Sequence, residues 1–196
     1  MTRRLVLFVL AGLALATSAE AASLFSTGSS WRWRPGTNEA STPVSAWRQS
    51  TFDDTQFTTA PAPFWYGDPY PGGTEITGMQ NVYLCLFLRK TFVISNTAEI
   101  AGLRLGAIVD DGFVAWINGT EVKRVSMPEP AGAPVSITTL ADNAVEPVAF
   151  LTYSDLPPPA SYLVPGTNVL ADRGEKADDA GRRQSPVRAG RQSSLS

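Results

Sequence analysis

Two acidic pairs, one arginine in an apolar run and one loop crowded with rings are the residues of this 196-residue chain whose types could do chemistry. The acidic pairs are Asp53-Asp54 and Asp110-Asp111. The arginine is Arg89, which follows Val82-Tyr83-Leu84-Cys85-Leu86-Phe87-Leu88. The loop reads Phe64-Trp65-Tyr66-Gly67-Asp68-Pro69-Tyr70-Pro71-Gly72-Gly73. Histidine is absent. That excludes Ser-His-Asp and Cys-His catalysis, histidine-based zinc sites and a histidine switch near neutral pH.

Each set has a bland and a sharp use. A glycosidase needs two carboxyls about 5 to 10 Å apart, flanking one bond. Adjacent residues of a strand face opposite ways, so neither pair can meet one substrate from one strand. In a turn, Asp accepts from its own backbone. Both pairs are therefore read as turn formers, and no catalytic residue is assigned. Calcium at Asp53, Asp54 or Asp110 would need about six to eight oxygens, and no dedicated loop supplies them. No cofactor is assigned from the residues. A buried Arg89 must be paired. The expectation is a structural ion pair, with Asp110-Asp111 as candidate partners; the alternative is a ligand donor.

The rings are where a sugar would stack. Trp65, Tyr66, Asp68 and Tyr70 in the loop, with Trp116 and Asn118, are the candidate ligand-binding residues. Phe64 and Tyr66 could instead plug the end of the fold. Trp31, Trp33 and Trp47 are assigned to the core. Cys85, apolar on both sides, reads as a buried inert thiol. A lone cysteine forms no internal disulfide.

The elements that position these residues are strands. Asn118-Gly119 lies between two β-rich runs and predicts a type I′ hairpin pairing Phe113–Ile117 with Thr120–Val125. Asp110-Asp111-Gly112 predicts a second tight turn just upstream, making a three-stranded meander. The hairpin also explains the Asn118-Gly119-Thr120 glycosylation sequon. Trp31–Arg34, Val135–Leu140, Val148–Tyr153 and Asn168–Ala171 read as short strands. Asn81–Ile94 reads as a long strand buried on both faces. Residues 35–80 read as loop, and no window shows a helical period.

The two ends read differently. Arg3-Arg4, the apolar run Leu5–Ala16 and Ala19-Glu20-Ala21 form a secretory leader pattern, cut after Ala21 or, alternatively, after Ala22. The run is shorter than the roughly 20 residues of a membrane span. Residues 172–196 hold no aromatic residue and read as a disordered tail. The division is thus a leader over 1–21, a β domain over 22–171 and the tail. Leader and tail are net basic, so with a whole-chain charge of −2 the domain carries −5. An acidic domain argues against nucleic acid as partner. A secreted chain without disulfides fits a bacterial source.

The order Trp31-x-Trp33, Ser41-Thr42-Pro43, Trp47, Phe52-Asp53-Asp54, Pro63-Phe64-x-Tyr66-Gly67, Leu88-Arg89-Lys90-Thr91-Phe92, Asp110-Asp111-Gly112, Ile117-Asn118-Gly119 and Gly166-Thr167-Asn168-Val169-Leu170-Ala171 resembles the galactose-binding-domain-like jelly roll. It is similar to the sugar-binding domains of β-galactosidase-type glycoside hydrolases. It is closer to accessory modules of large secreted bacterial proteins, some of which also carry lamin-tail-like domains. The resemblance covers residues 29–171. It implies an all-β, antiparallel jelly-roll sandwich that is non-catalytic, often binds carbohydrate and sometimes holds a structural calcium. Family members extend the Asn-Val-Leu-Ala strand and add another. Here Asp172-Arg173-Gly174 interrupts it, so the sandwich is expected to be incomplete at its C-terminal strands, as from a truncated or frame-altered gene.

The expected function is a secreted or periplasmic, cell-surface module that binds carbohydrate or another surface polymer and is not an integral membrane protein once the leader is cut. The alternatives are a structural or adhesive spacer of a larger extracellular protein, and a fragment of a glycoside hydrolase.

Overall fold

A computed structural model of the chain describes residues 6–15, 22–67, 71–143 and 150–177. Among these, twelve strands follow in order: β1 (Val6–Leu15), β2 (Ala22–Ser23), β3 (Ser30–Pro35), β4 (Thr58–Pro61), β5 (Phe64–Tyr66), β6 (Thr74–Glu75), β7 (Cys85–Ile94), β8 (Leu103–Val109), β9 (Gly112–Ile117), β10 (Thr120–Val125), β11 (Phe150–Tyr153) and β12 (Gly166–Glu175). The helical pieces among the described residues are single 3₁₀ turns, one of them Ala46–Arg48. None is long and apolar enough to cross a membrane. The strands form two sheets. The first runs β11-β8-β1-β5-β6, with β2 also on β1; the second runs β10-β9-β12-β7-β3-β4. Pairing is antiparallel throughout except β5 with β6. Neither sheet is closed or strongly curled.

One apolar cluster joins the sheets. Phe64, Leu105, Ala107 and Val109 of the first meet Leu86, Leu88, Phe113, Ala115, Ile117 and Leu170 of the second. The second sheet also buries its other face. Cys85, Phe87, Val114, Trp116 and Ala171 point that way, and Ala40, Trp47, Phe57, Met127 and Val135 from the covering loops close over them. Alternate residues of β7, β9 and β12 thus enter two separate cores. This is why the Cys85–Leu88 run lacks a polar face: strand side chains alternate, and here both sides are apolar. The strand begins at Cys85; residues 81–84 are a turn.

The hairpin forms as the local sequence dictates. Asn118 and Gly119 take φ of 49° and 86°, the left-handed region that both central residues of an I′ turn need. Ile117 sits opposite Thr120, and the register shifts between Glu121 and Lys123. A Cβ on Gly119 would also displace the flexible Gln49 side-chain amide. Gly119→Val should cost more than about 1 kcal/mol, because a β-branched residue is an outlier at positive φ. Urea denaturation checks this, and a midpoint equal to wild type would rule out the turn assignment.

The three-stranded meander is corrected. β9 and β10 pair, but β8 belongs to the first sheet and β9 to the second. Asp110-Asp111 is an arch that carries the chain between sheets, with a cis peptide between the two residues. β8 and β9 each need partners on two sides, so tight-turn residues between them serve a crossover as well as a hairpin. Other boundaries shift too. Val135–Leu140 is not a strand; Val135 is a plug in the outer core. The loop-rich stretch 35–80 contains β4, β5 and β6. β12 does not stop at Ala171: Asp172, Arg173, Gly174 and Glu175 pair with Leu88, Phe87, Leu86 and Cys85, and Ala177 bridges Ala141. The polar side chains of that stretch do not break the strand because backbone pairing on both sides outweighs their weak β preference.

Candidate functional site

Arg89 is a loop anchor. It is 1 % exposed on β7. Its Nε donates to Asp54 Oδ2 at 2.8 Å, and its Nη1 to the Trp47 carbonyl and to Gln49 O at 3.1 Å. Its guanidinium lies 5.2 Å from the centre of the Phe52 ring. The expected ion pair exists, but its partner is Asp54, not Asp110 or Asp111. One guanidinium thus fixes the backbone of the 46–57 loop, which carries Trp47 and Phe57 into the outer core. The pairing leaves Arg89 turned inward, away from a ligand.

The acidic pairs are spent separately. Asp53 is exposed and its Oδ1 accepts from the Thr55 backbone N–H at 3.0 Å; that bond holds its carboxyl below the usual range. Asp110 and Asp111 are buried, and Asp111 Oδ2 accepts from Ala177 N at 2.7 Å. Among the described residues, no three Asp, Glu, Cys or His side chains gather as a metal would require. Asp53, Asp54 and Asp110 are therefore not brought together as calcium ligands.

Trp116 and Asn118 are occupied too. The Trp116 ring is 3 % exposed. Trp47 meets it edge-on at 5.7 Å, and the Arg48 guanidinium sits 3.8 Å over its face. Burial, with Arg173 nearby, lowers the Arg48 pKa to about 10. Asn118 donates to Tyr162 O at 2.9 Å and to Asn168 Oδ1 at 2.7 Å, and accepts from Val169 N at 3.0 Å. It staples the hairpin to β12. Neither residue presents a face to a sugar. Burial pushes the Cys85 thiol up to about 12, with Glu175 adding to it, as expected of an inert thiol.

Sequence reasoning did not single out the second buried arginine. Arg173, on β12, donates from Nη1 to Val135 O at 2.8 Å and pairs with Glu175. Its guanidinium lies 5.4 Å from the centre of the Phe87 ring. The available signal was the two-residue spacing Arg173-x-Glu175, which puts both on one face of a strand. The polar composition after Ala171 masks that signal.

In the aromatic loop the described residues run from buried to exposed. Phe64 is fully buried, while Trp65 and Tyr66 are half-buried. Tyr66 packs on the inter-sheet core; alternation turns Trp65 to the opposite face. The Trp65 indole N–H donates to Gly72 O at 3.1 Å, tying the ring to the far side of the loop. Asp68 and Tyr70 lie outside the described residues. Beside this loop lies a cavity of about 430 Å³, bounded by Pro63, Pro71, Gly72 and Gly73, by Ile108 and Phe150, and at one end by Thr27 and Gly28. Among the described residues, no charged side chain lines it. Gly73 is required there, since a Cβ would strike Pro63.

No family model and no curated protein matches this chain. The loop and its cavity therefore rest on geometry. A cleft whose described lining is mostly apolar and uncharged, with a half-buried indole bonded to its wall, suits a neutral ligand with an apolar face.

Proposed function

We propose that the chain is a secreted, non-catalytic jelly-roll module that binds a neutral carbohydrate or surface polymer through the 64–73 loop. The observation that carries this reading is the half-buried Trp65 ring, hydrogen-bonded to Gly72 in the wall of a cavity whose described lining carries no charge, on a two-sheet frame. Loops on such frames commonly hold binding function. Ring faces stack on the apolar face of a pyranose, while loop backbone groups meet its hydroxyls. The test is titration of a polysaccharide panel against wild type, Trp65→Ala and Tyr70→Ala. Loss of a stacking ring should weaken binding by about 1 to 3 kcal/mol, the range for burying one large apolar side chain. Equal affinities in all three proteins would place the site elsewhere.

One observation favours a spacer or adhesive role instead. Trp116, Asn118, Arg89 and Asp54 are all consumed in internal contacts, as in a domain built for rigidity. A folded protein that binds no glycan would support that reading.

A further inference from the structure

The apolar stretch that reads as a leader is also an interior strand. β1, Val6–Leu15, lies between β8 and β5. Seven of its residues, Phe8 to Leu15 with a break at Ala11, stand opposite β8 from Val109 to Leu103. Val6, Leu7 and Phe8 stand opposite Tyr66, Trp65 and Phe64. Without β1 the first sheet splits into a β11-β8 pair and a β5-β6 pair. Both lips of that gap are core elements: Leu103, Leu105, Ala107 and Val109 of β8 and Phe64 of β5 are buried in the inter-sheet cluster. A cut after Ala21 would remove the covalent hold on this strand, whose only link to the domain is through residues 16–21 and β2.

We infer that the domain is a strand acceptor: once residues 1–21 are cut away, the β8–β5 slot takes up an extended apolar peptide segment from another chain, antiparallel to β8. The biology of this inference rests on the leader and secretion reading; the slot itself rests on the pairing above. The chemistry of the occupant follows from what fills the slot now. It must be uncharged and apolar over about seven residues, free of proline, with small residues near its middle, as in Val-Leu-Phe-Val-Leu-Ala-Gly-Leu-Ala-Leu. Main-chain bonds to the β8 edge would supply affinity, and alternate side-chain pockets selectivity. The charged segment after Ala177 does not meet these terms. An open edge of buried-type residues is otherwise an aggregation liability.

The full chain, with residues 16–21 replaced by a protease site, is folded and then cut. The probe is a labelled synthetic peptide of residues 6–15 flanked by lysines, added just below the urea transition. Expected is either retention of the cut fragment on size exclusion or its saturable one-to-one exchange with the peptide. A peptide with Val9→Pro and Leu10→Pro should bind at least about tenfold more weakly. Adjacent residues aim their N–H groups to opposite edges, so one of the two prolines removes a bond toward β8. The inference is overturned if the fragment leaves, the body keeps its melting temperature and the peptide does not bind. It is equally overturned if the body closes the slot by dimerising, or aggregates without rescue by the peptide. N-terminal sequencing of the exported protein tests the leader reading separately: a start at Met1 or Thr2 refutes that reading and leaves the slot result standing.

Discussion

Arg89→Leu should destabilise the domain by about 3 to 5 kcal/mol, the cost of removing one partner from a buried charge network. The leucine fills similar space but donates nothing. Trp47, Gln49 and Phe52 lose the donor their carbonyls share, and Asp54 keeps only the longer contact to Arg32 at 3.6 Å. The loss spreads because the loop so fixed lays Trp47 and Phe57 over Phe87 and Trp116. Trp47 emission should shift to the red under native conditions as its ring meets water. Asp54→Asn is the control. It keeps an acceptor for Arg89 Nε and should cost nearer about 1 kcal/mol, an ordinary hydrogen bond's worth. Urea midpoints for the three proteins decide it. An Arg89→Leu protein within about 1 kcal/mol of wild type would mean the network is not what holds the loop.

That network shows where the sequence was legible. Arg89 in an apolar run announces a buried, paired cation, because an unpaired one is prohibitively costly. Its partner could not be read. Asp54 lies 35 residues away, and nothing local distinguishes it from Asp110 or Asp111. The Asn118-Gly119 hairpin was legible because its warrant is local: two residues that tolerate positive φ. The arch at Asp110-Asp111 was not, since turn chemistry says that the chain reverses but not which sheet receives it. The same limit applies to the rings. A tryptophan on a strand is equally a platform or a plug, and only the approach of Trp47 and Arg48 makes Trp116 a plug. At Trp65 the loop's glycines and prolines read as irregular surface and concealed the short strand Phe64–Tyr66 that aims the rings. In the strand past Ala171 polar residues read as solvent-exposed, because composition cannot register that β7 and β9 pair with it on both sides.

The second large expected effect comes from that strand. Asp172 alternates with Arg173 and so faces the inter-sheet core beside Leu170, almost fully buried. Its Oδ1 has no hydrogen-bond partner among the described residues. Burial raises its pKa well above the ordinary carboxylate value, and the Arg173 backbone N–H only partly opposes this. The native state therefore keeps a proton that the unfolded chain releases. Stability rises with pH only where the unfolded state binds more protons; here the native state does, so the sign is negative. Asp172's contribution is complete below the unfolded carboxylate pKa of about 3.9 and is lost as pH climbs through the raised native value. Burial shifts Glu175 the same way, with the Arg173 charge beside it opposing the shift. Asp172→Val should thus stabilise the domain by about 1 to 3 kcal/mol near neutral pH, the penalty for a buried polar group without full compensation. It should also flatten the fall in stability between acid and neutral conditions, while Glu175 leaves a residual slope. Asp172→Asn should flatten the slope equally but recover less stability, since its amide still lacks partners. Urea unfolding of the three proteins at several pH values separates these effects. A wild-type slope that persists unchanged in Asp172→Val would show that the carboxyl does not hold its proton in the core.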